Sequence, residues 1–189
     1  KSLEQEAKTK SMSILKEIFL QNRVFAHPTE GVWGLGCNPF SEEAVENLFN
    51  LKLRPKDKGV IILAGHIEQL DHFLGGLPEE KINTLFTKWP GPHTWLIPAT
   101  ATTPSWLKGK SGSVAVRLST HPTVINITQE LGSSICSTSA NLSGNEPAKN
   151  PNEIKKIFGE DLFIVEGTLG KLNKPTPVQD LETGKWIRK

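Results

Sequence analysis

Several things are scarce in this chain, and each scarcity closes off a class of protein. No stretch approaches the ~18 apolar residues that a membrane-crossing helix requires, so no membrane span is expected. Cysteine occurs only twice, at Cys37 and Cys136, with no metal-ligand spacing around either. That excludes a disulfide scaffold and suits buried free thiols in a reducing compartment. The five histidines contain no H-x-x-x-H pair, so a protein-held zinc is not expected. There is no G-x-S-x-G elbow and no Cys–His neighbourhood. Ser13-Ile14-Leu15-Lys16 matches S-x-x-K only in mid-helix, without its partner motifs, so no protein nucleophile is expected. Acidic clusters of the kind a sugar-phosphate enzyme uses to hold metal are missing as well. The formal charge of +2 is too small to argue for nucleic acid by itself. Tyr is absent while Trp occurs five times, a bias without an evident physical reason. The start, Lys1 to Ser11, is polar and charged and does not read as a signal peptide. Cytoplasm is the expected location.

What is present reads as one α/β domain over residues 1–189, with helices and strands interleaved and no repeats. Leu3 to Gln21 has the helical period, with Ile14, Leu15, Ile18 and Phe19 on one face. Arg23 to His27 is a short strand halted by Pro28. The stretch Pro28 to Gly36 has the order G-x-x-G-x-G, which is not the dinucleotide fingerprint. Its glycines are expected to turn the backbone tightly beside a ligand or another strand. Ser41 caps a helix with Glu42 and Glu43 in its first turn. Val60 to Ala64 reads as a fully buried strand. Helices are predicted over Ile67–Leu74 and Pro78–Trp89, the latter with Pro78 at its first position. Strands follow at Thr94–Ile97 and Ser113–Leu118, separated by a loop. His121-Pro122 opens a helix to about Leu131, Asn150-Pro151 caps another through Phe158, and Phe163–Val165, Val178–Leu181 and Trp186–Arg188 close the chain.

Three features carry the chemistry. The first is Ser137-Thr138-Ser139-Ala140-Asn141-Leu142-Ser143-Gly144, rich in hydroxyls and amides and free of charge, at the end of a buried strand. Short polar side chains there, with Gly behind, suit a closely approached ligand; they suit a self-satisfied loop equally well. The second is Lys52-Leu53-Arg54-Pro55-Lys56-Asp57-Lys58, with four cations against one anion. It could neutralise a polyphosphate, or stand as a solvated loop or an unspecific RNA patch. The third is Arg117, a lone cation in an apolar strand. With no strand carboxylate as an evident mate, it points to a ligand carboxylate, because an unpaired buried charge is very costly.

In chain order, Pro28-Thr29-Glu30 with Gly34-Leu35-Gly36, Lys52-x-Arg54-Pro55, Trp89-Pro90-Gly91-Pro92, Val114-Ala115-Val116-Arg117 and Ser137-Thr138-Ser139-Ala140-Asn141-x-Ser143-Gly144 resemble the YrdC/TsaC family of threonylcarbamoyl-AMP synthases. The resemblance runs from about residue 10 to the C-terminus and is that of the short, single-domain bacterial form. It implies a twisted, open mixed sheet flanked by helices, with a concave, positively charged face. It implies a reaction of L-threonine, bicarbonate and ATP, with Mg²⁺ accompanying ATP. The product serves threonylcarbamoyladenosine formation beside the anticodon of tRNA, so tRNA and the threonylcarbamoyl-transfer proteins are implied partners. The carbamate itself attacks phosphorus, which agrees with the missing nucleophile. By the same resemblance Thr29, Arg117 and Thr176 face threonine. Lys52, Arg54, Lys58, Ser113, Ser137, Ser139, Asn141 and Arg188 face ATP. Many members carry Thr at position 31 and His at position 63, where this chain has Gly31 and Leu63. The competing reading is an RNA-binding module that uses the basic concave face without turnover; double-stranded RNA binding is a further property the resemblance implies.

Overall fold

The computed structural model describes residues 2–189, and its strands form one sheet. The helices are α1 (Leu3–Leu20), α2 (Glu42–Lys52), α3 (Asp71–Leu74), α4 (Glu79–Leu85), α5 (Pro122–Leu131) and α6 (Pro151–Phe158). The strands are β1 (Phe25–His27), β2 (Gly34–Cys37), β3 (Ile61–Ala64), β4 (Thr94–Pro98), β5 (Ser113–Leu118), β6 (Ile135–Ser139), β7 (Phe163–Ile164), β8 (Val178–Asp180) and β9 (Trp186–Arg188). They lie in the order β7-β1-β2-β6-β3-β5-β4-β8-β9. The β1–β7, β3–β5 and β4–β8 pairs are parallel and the others antiparallel, so the sheet is mixed and open.

Helix ends follow their caps. Ser41 accepts from the Ala44 N–H, Asn150 from the Glu153 N–H, and His121 from the Thr123 N–H with Pro122 next in line. The stretch Ile67–Leu74 divides into a 3₁₀ turn and the short α3, and Pro78 lies just outside α4 rather than at its first position. On α1, Leu15, Ile18 and Phe19 are buried while Ile14 is exposed.

The correction that matters most concerns Gly34-Leu35-Gly36. It is not a turn but part of strand β2, paired with β1 on one side and β6 on the other. A Cβ on Gly34 would lie 2.9 Å from His27 Nε2, and one on Gly36 would lie 2.9 Å from the Phe25 ring. These glycines leave the sheet face bare so that two rings from β1 can lie across it.

The two faces of the sheet are packed differently. One buries Leu35, Cys37, Ile62, Val114, Val116 and Cys136 against Val45, Leu48 and Phe49 of α2, Leu85 of α4 and Ile154 of α6. The other is covered only in part: Phe25, Leu63 and Ile135 pack under Leu15, Ile18 and Phe19 of α1 and Val124 and Ile127 of α5. Beyond that patch the same face carries Ser137, Ile61, Ala115, Ser113, Leu96 and Val178, which line a cleft.

Candidate active site

The cleft, of about 910 Å³ with its open mouth included, spans the uncovered centre of the sheet. Strands supply its floor, and loops supply its walls, with Leu107 and Gly109 of the β4–β5 loop beside two longer walls. One wall is the basic segment after α2. Leu53 ends that helix in the left-handed conformation (φ 53°), and the chain reverses so that Arg54 turns into the cleft. The other wall is the run from residue 166 to 177, which crosses the loop after β1. There Gly170 and Leu172 donate to the carbonyls of Thr29 and Glu30 at 2.8 and 3.1 Å. This crossing brings Pro175 and Thr176 to the cleft and packs the Lys174 carbonyl where a side chain at position 31 would be. Gly31 is therefore required by the crossing segment. Leu63 sits in the apolar patch under α1 and α5, outside the cleft lining.

Of the residues singled out from sequence, Thr29, Arg54, Lys58, Ser113, Arg117, Ser137, Ser139, Thr176 and Arg188 all line this one cleft. Lys52 and Asn141 do not. Lys52 is fully buried, and its ammonium meets the Ser139 carbonyl, the Asn141 carbonyl at 2.9 Å and Asn141 Oδ1 at 2.8 Å. Burial, then the Arg54 charge, pull its pKa down to about 7. The three oxygens act in the opposite direction, because only the ammonium form supplies three donors.

Arg117 does have a protein carboxylate, supplied by the loop after β1 and not by a strand, so a ligand is not its sole possible mate. Glu30 Oε2 lies 3.4 Å from its Nη2, and Nη1 donates to Thr94 and Thr176 Oγ1 at 3.0 and 2.5 Å. Ser119 holds the other Glu30 oxygen at 2.5 Å. Burial pulls the Arg117 pKa down and Glu30 pushes it back. Arg188, whose Nε donates to the Thr176 carbonyl at 2.8 Å, is pulled down by burial and then by Arg117 and Arg54. The Arg188 guanidinium thus lies within electrostatic reach of both Arg117 and Arg54. Arg54 folds onto the carbonyls of Gly59 and Lys58 at 3.2 and 3.4 Å. Its Nε, like Nε of Arg117, is buried without a protein partner. Among the described residues, four cationic side chains line the cleft and no acidic one does, so the arrangement suits an anion with several charges.

Sequence reasoning left two participants without a role. Glu30 lies in the Pro28-Thr29-Glu30 motif, yet its partner is distant in the chain. His27 is fully buried, with Nδ1 3.2 Å from the Pro28 carbonyl and Nε2 3.1 Å from Ser137 Oγ. A carbonyl only accepts, so the proton sits on Nδ1, and Ser137 donates to Nε2. Burial above all lowers the His27 pKa to about 4, so the ring is neutral. Ser137 Oγ is left to face the cleft as an acceptor. No group of three His, Cys, Asp or Glu that could hold a metal occurs among the described residues.

An open mixed sheet with a polar, cation-rich cleft on its uncovered face defines an α/β protein built to take a small, highly charged ligand. The family model Sua5/YciO/YrdC, described as telomere recombination, matches residues 17–189, and the chain belongs to this family. It is 46% identical over 170 residues to a threonylcarbamoyl-AMP synthase of Yersinia pestis, covering 89% of this chain and 90% of that protein. It is 42% identical over 169 residues to the synthase of Cellvibrio japonicus, covering 89% of each. Among solved structures, YciO of E. coli superposes with a TM-score of 0.82 at 25% identity, over 96% of this chain and 89% of that one. Sua5 of P. abyssi complexed with L-threonine superposes with a TM-score of 0.81 at 30% identity, over 90% of this chain. The chain spans 51% of that longer protein.

Proposed function

We propose that this protein is an L-threonylcarbamoyladenylate synthase, converting L-threonine, bicarbonate and ATP to threonylcarbamoyl-AMP, pyrophosphate and water. The observation that carries the reading is the convergence of Arg54, Lys58, Arg117 and Arg188 on one cleft that no acidic side chain lines. Close relatives named for this reaction, and a longer relative solved with L-threonine, support it.

The chemistry needs positioning and charge more than a nucleophile. Threonine's amine and bicarbonate condense to a carbamate with loss of water. A carbamate oxygen then attacks the α-phosphorus in line, and the bond to pyrophosphate breaks. Arg117, steadied by Thr94 and Thr176, holds the threonine carboxylate beside Thr29. Arg54, Lys58 and Arg188 offset the phosphate charge, with Ser113, Ser137 and Ser139 orienting the nucleotide. Mg²⁺ accompanies ATP as a counter-ion of the phosphates. Among the described residues the cleft lining supplies no carboxylate to hold it. The product passes to the transfer proteins that modify tRNA next to the anticodon, in the cytoplasm. No described helix is long and apolar enough to cross a membrane.

The test is pyrophosphate release from ATP in the presence of bicarbonate. Release should depend on threonine and saturate with it. Release that ignores threonine, together with a salt-sensitive affinity for tRNA exceeding that for ATP, would favour the RNA-binding alternative.

A further inference from the structure

The Lys52-x-Arg54 pair splits in direction. Leu53 takes the left-handed conformation between them, so Arg54 reaches the cleft while Lys52, the last residue of α2, turns beneath the end of β6. An ammonium has three hydrogens. At Lys52 each has an oxygen to meet, and all three oxygens belong to Ser139 and Asn141. Asn141 is equally committed. Its Oδ1 also accepts from Ser139 Oγ at 2.6 Å, and its Nδ2 donates to the Leu142 and Asn145 carbonyls at 3.0 and 2.7 Å. The Ser143 N–H closes the unit on the Lys52 carbonyl at 2.9 Å. No hydrogen of Lys52 remains for a phosphate, and Ser139 is the one member of the unit that lines the cleft.

We propose that Lys52 is a positioning residue that does not bind the triphosphate: its three ammonium hydrogens lock the Ser139–Asn141 turn to the end of α2, and the phosphates fall to Arg54, Lys58 and Arg188. This rests on the nucleotide reading of the cleft. A buried ammonium surrounded by three oxygens of one turn acts as an internal strut, and removing it frees the turn whatever the number of phosphates on the ligand.

The test measures equilibrium binding of AMP, ADP and ATP to wild-type protein, Lys52→Met, Lys52→Arg and Arg54→Ala. Lys52→Met should weaken all three nucleotides by the same factor, about tenfold, as expected for one lost charged hydrogen-bond set. Arg54→Ala should weaken ATP more than ADP and ADP more than AMP. Lys52→Arg should fail to restore binding, because a planar guanidinium cannot fill a three-oxygen cage shaped for an ammonium. A Lys52→Met loss that grows with phosphate number, or rescue by Arg, would overturn the assignment. A crystal structure of the wild type with a non-hydrolysable ATP analogue decides the matter if the variants do not fold. Lys52 Nζ should keep its three oxygens and lie beyond ~3.5 Å from every phosphate oxygen, whereas a phosphate oxygen at bonding distance overturns the proposal. Wild-type protein that binds none of the nucleotides would remove the nucleotide reading itself, and this assignment with it.

Discussion

Lys52 and Arg117 are both buried cations, and they differ in what their hydrogens face. Every Lys52 hydrogen meets an oxygen of a single turn. Arg117 sits in the cleft lining, bonded to two hydroxyls, with Glu30 3.4 Å away and a buried Nε without a partner. Taking either charge out of water costs several kcal/mol, so each must be compensated. For Lys52 the compensation is complete within the protein, and the result is architecture. For Arg117 it is incomplete, since Nε is buried without a protein partner, and the proposed function assigns the remainder to a ligand. Lys56 marks a third condition, an exposed cation 3.1 Å from Glu46 at the surface, where water already satisfies both charges.

The contrast can be broken most forcibly at Arg117. Arg117→Ala should raise the threonine KM by about a hundredfold while moving the ATP KM less than about threefold, the loss expected for a buried charged contact. It should also destabilise the fold by about 3–5 kcal/mol, because Glu30 stays buried without its partner. Adding Glu30→Gln should recover much of that stability without restoring threonine use. Equal losses for the two substrates in steady-state kinetics would mean that Arg117, like Lys52, is architecture.

A third buried group, His27, is neutral, and its effect follows pH. His27 has a pKa of about 4 in the folded protein against an ordinary 6.5. Between those values the unfolded chain binds a proton that the folded chain refuses, so stability rises with pH there. The contribution is present in full above about pH 6.5 and is lost as pH falls towards 4, a difference of about 3 kcal/mol. Urea unfolding of wild type and His27→Gln at a series of pH values should show this component only in the wild type. The smallest effect belongs to the surface pair. Lys56→Ala should change the unfolding free energy by less than about 0.5 kcal/mol. A larger loss would show that exposure is a poor guide to which cations matter.

Helix positions were legible because caps and apolar spacing are local: Ser41 and Asn150 announce α2 and α6 in the sequence. Strand β2 was not, since Gly34 and Gly36 carry no side chain to show a period. What demands them is the pair of rings on β1, a tertiary requirement. At the site, Arg54, Lys58, Arg117 and Arg188 could be read as cations in suggestive places, and all four reach the same cleft. Spacing alone did not separate Lys52 from Arg54, because their opposed directions depend on one left-handed residue between them. Nor could it pair Glu30 with Arg117, which a loop and a distant strand bring together.

Under the proposed function, one cleft joins threonine, bicarbonate and ATP. Incubation with ¹³C-labelled bicarbonate, threonine and ATP, followed by mass spectrometry of the nucleotides, tests it directly. The labelled carbon should appear in an adenylate that also contains threonine, at a yield that falls sharply in Arg117→Ala. An adenylate of threonine without the label, or no adenylate at all from protein that binds both substrates, would contradict it.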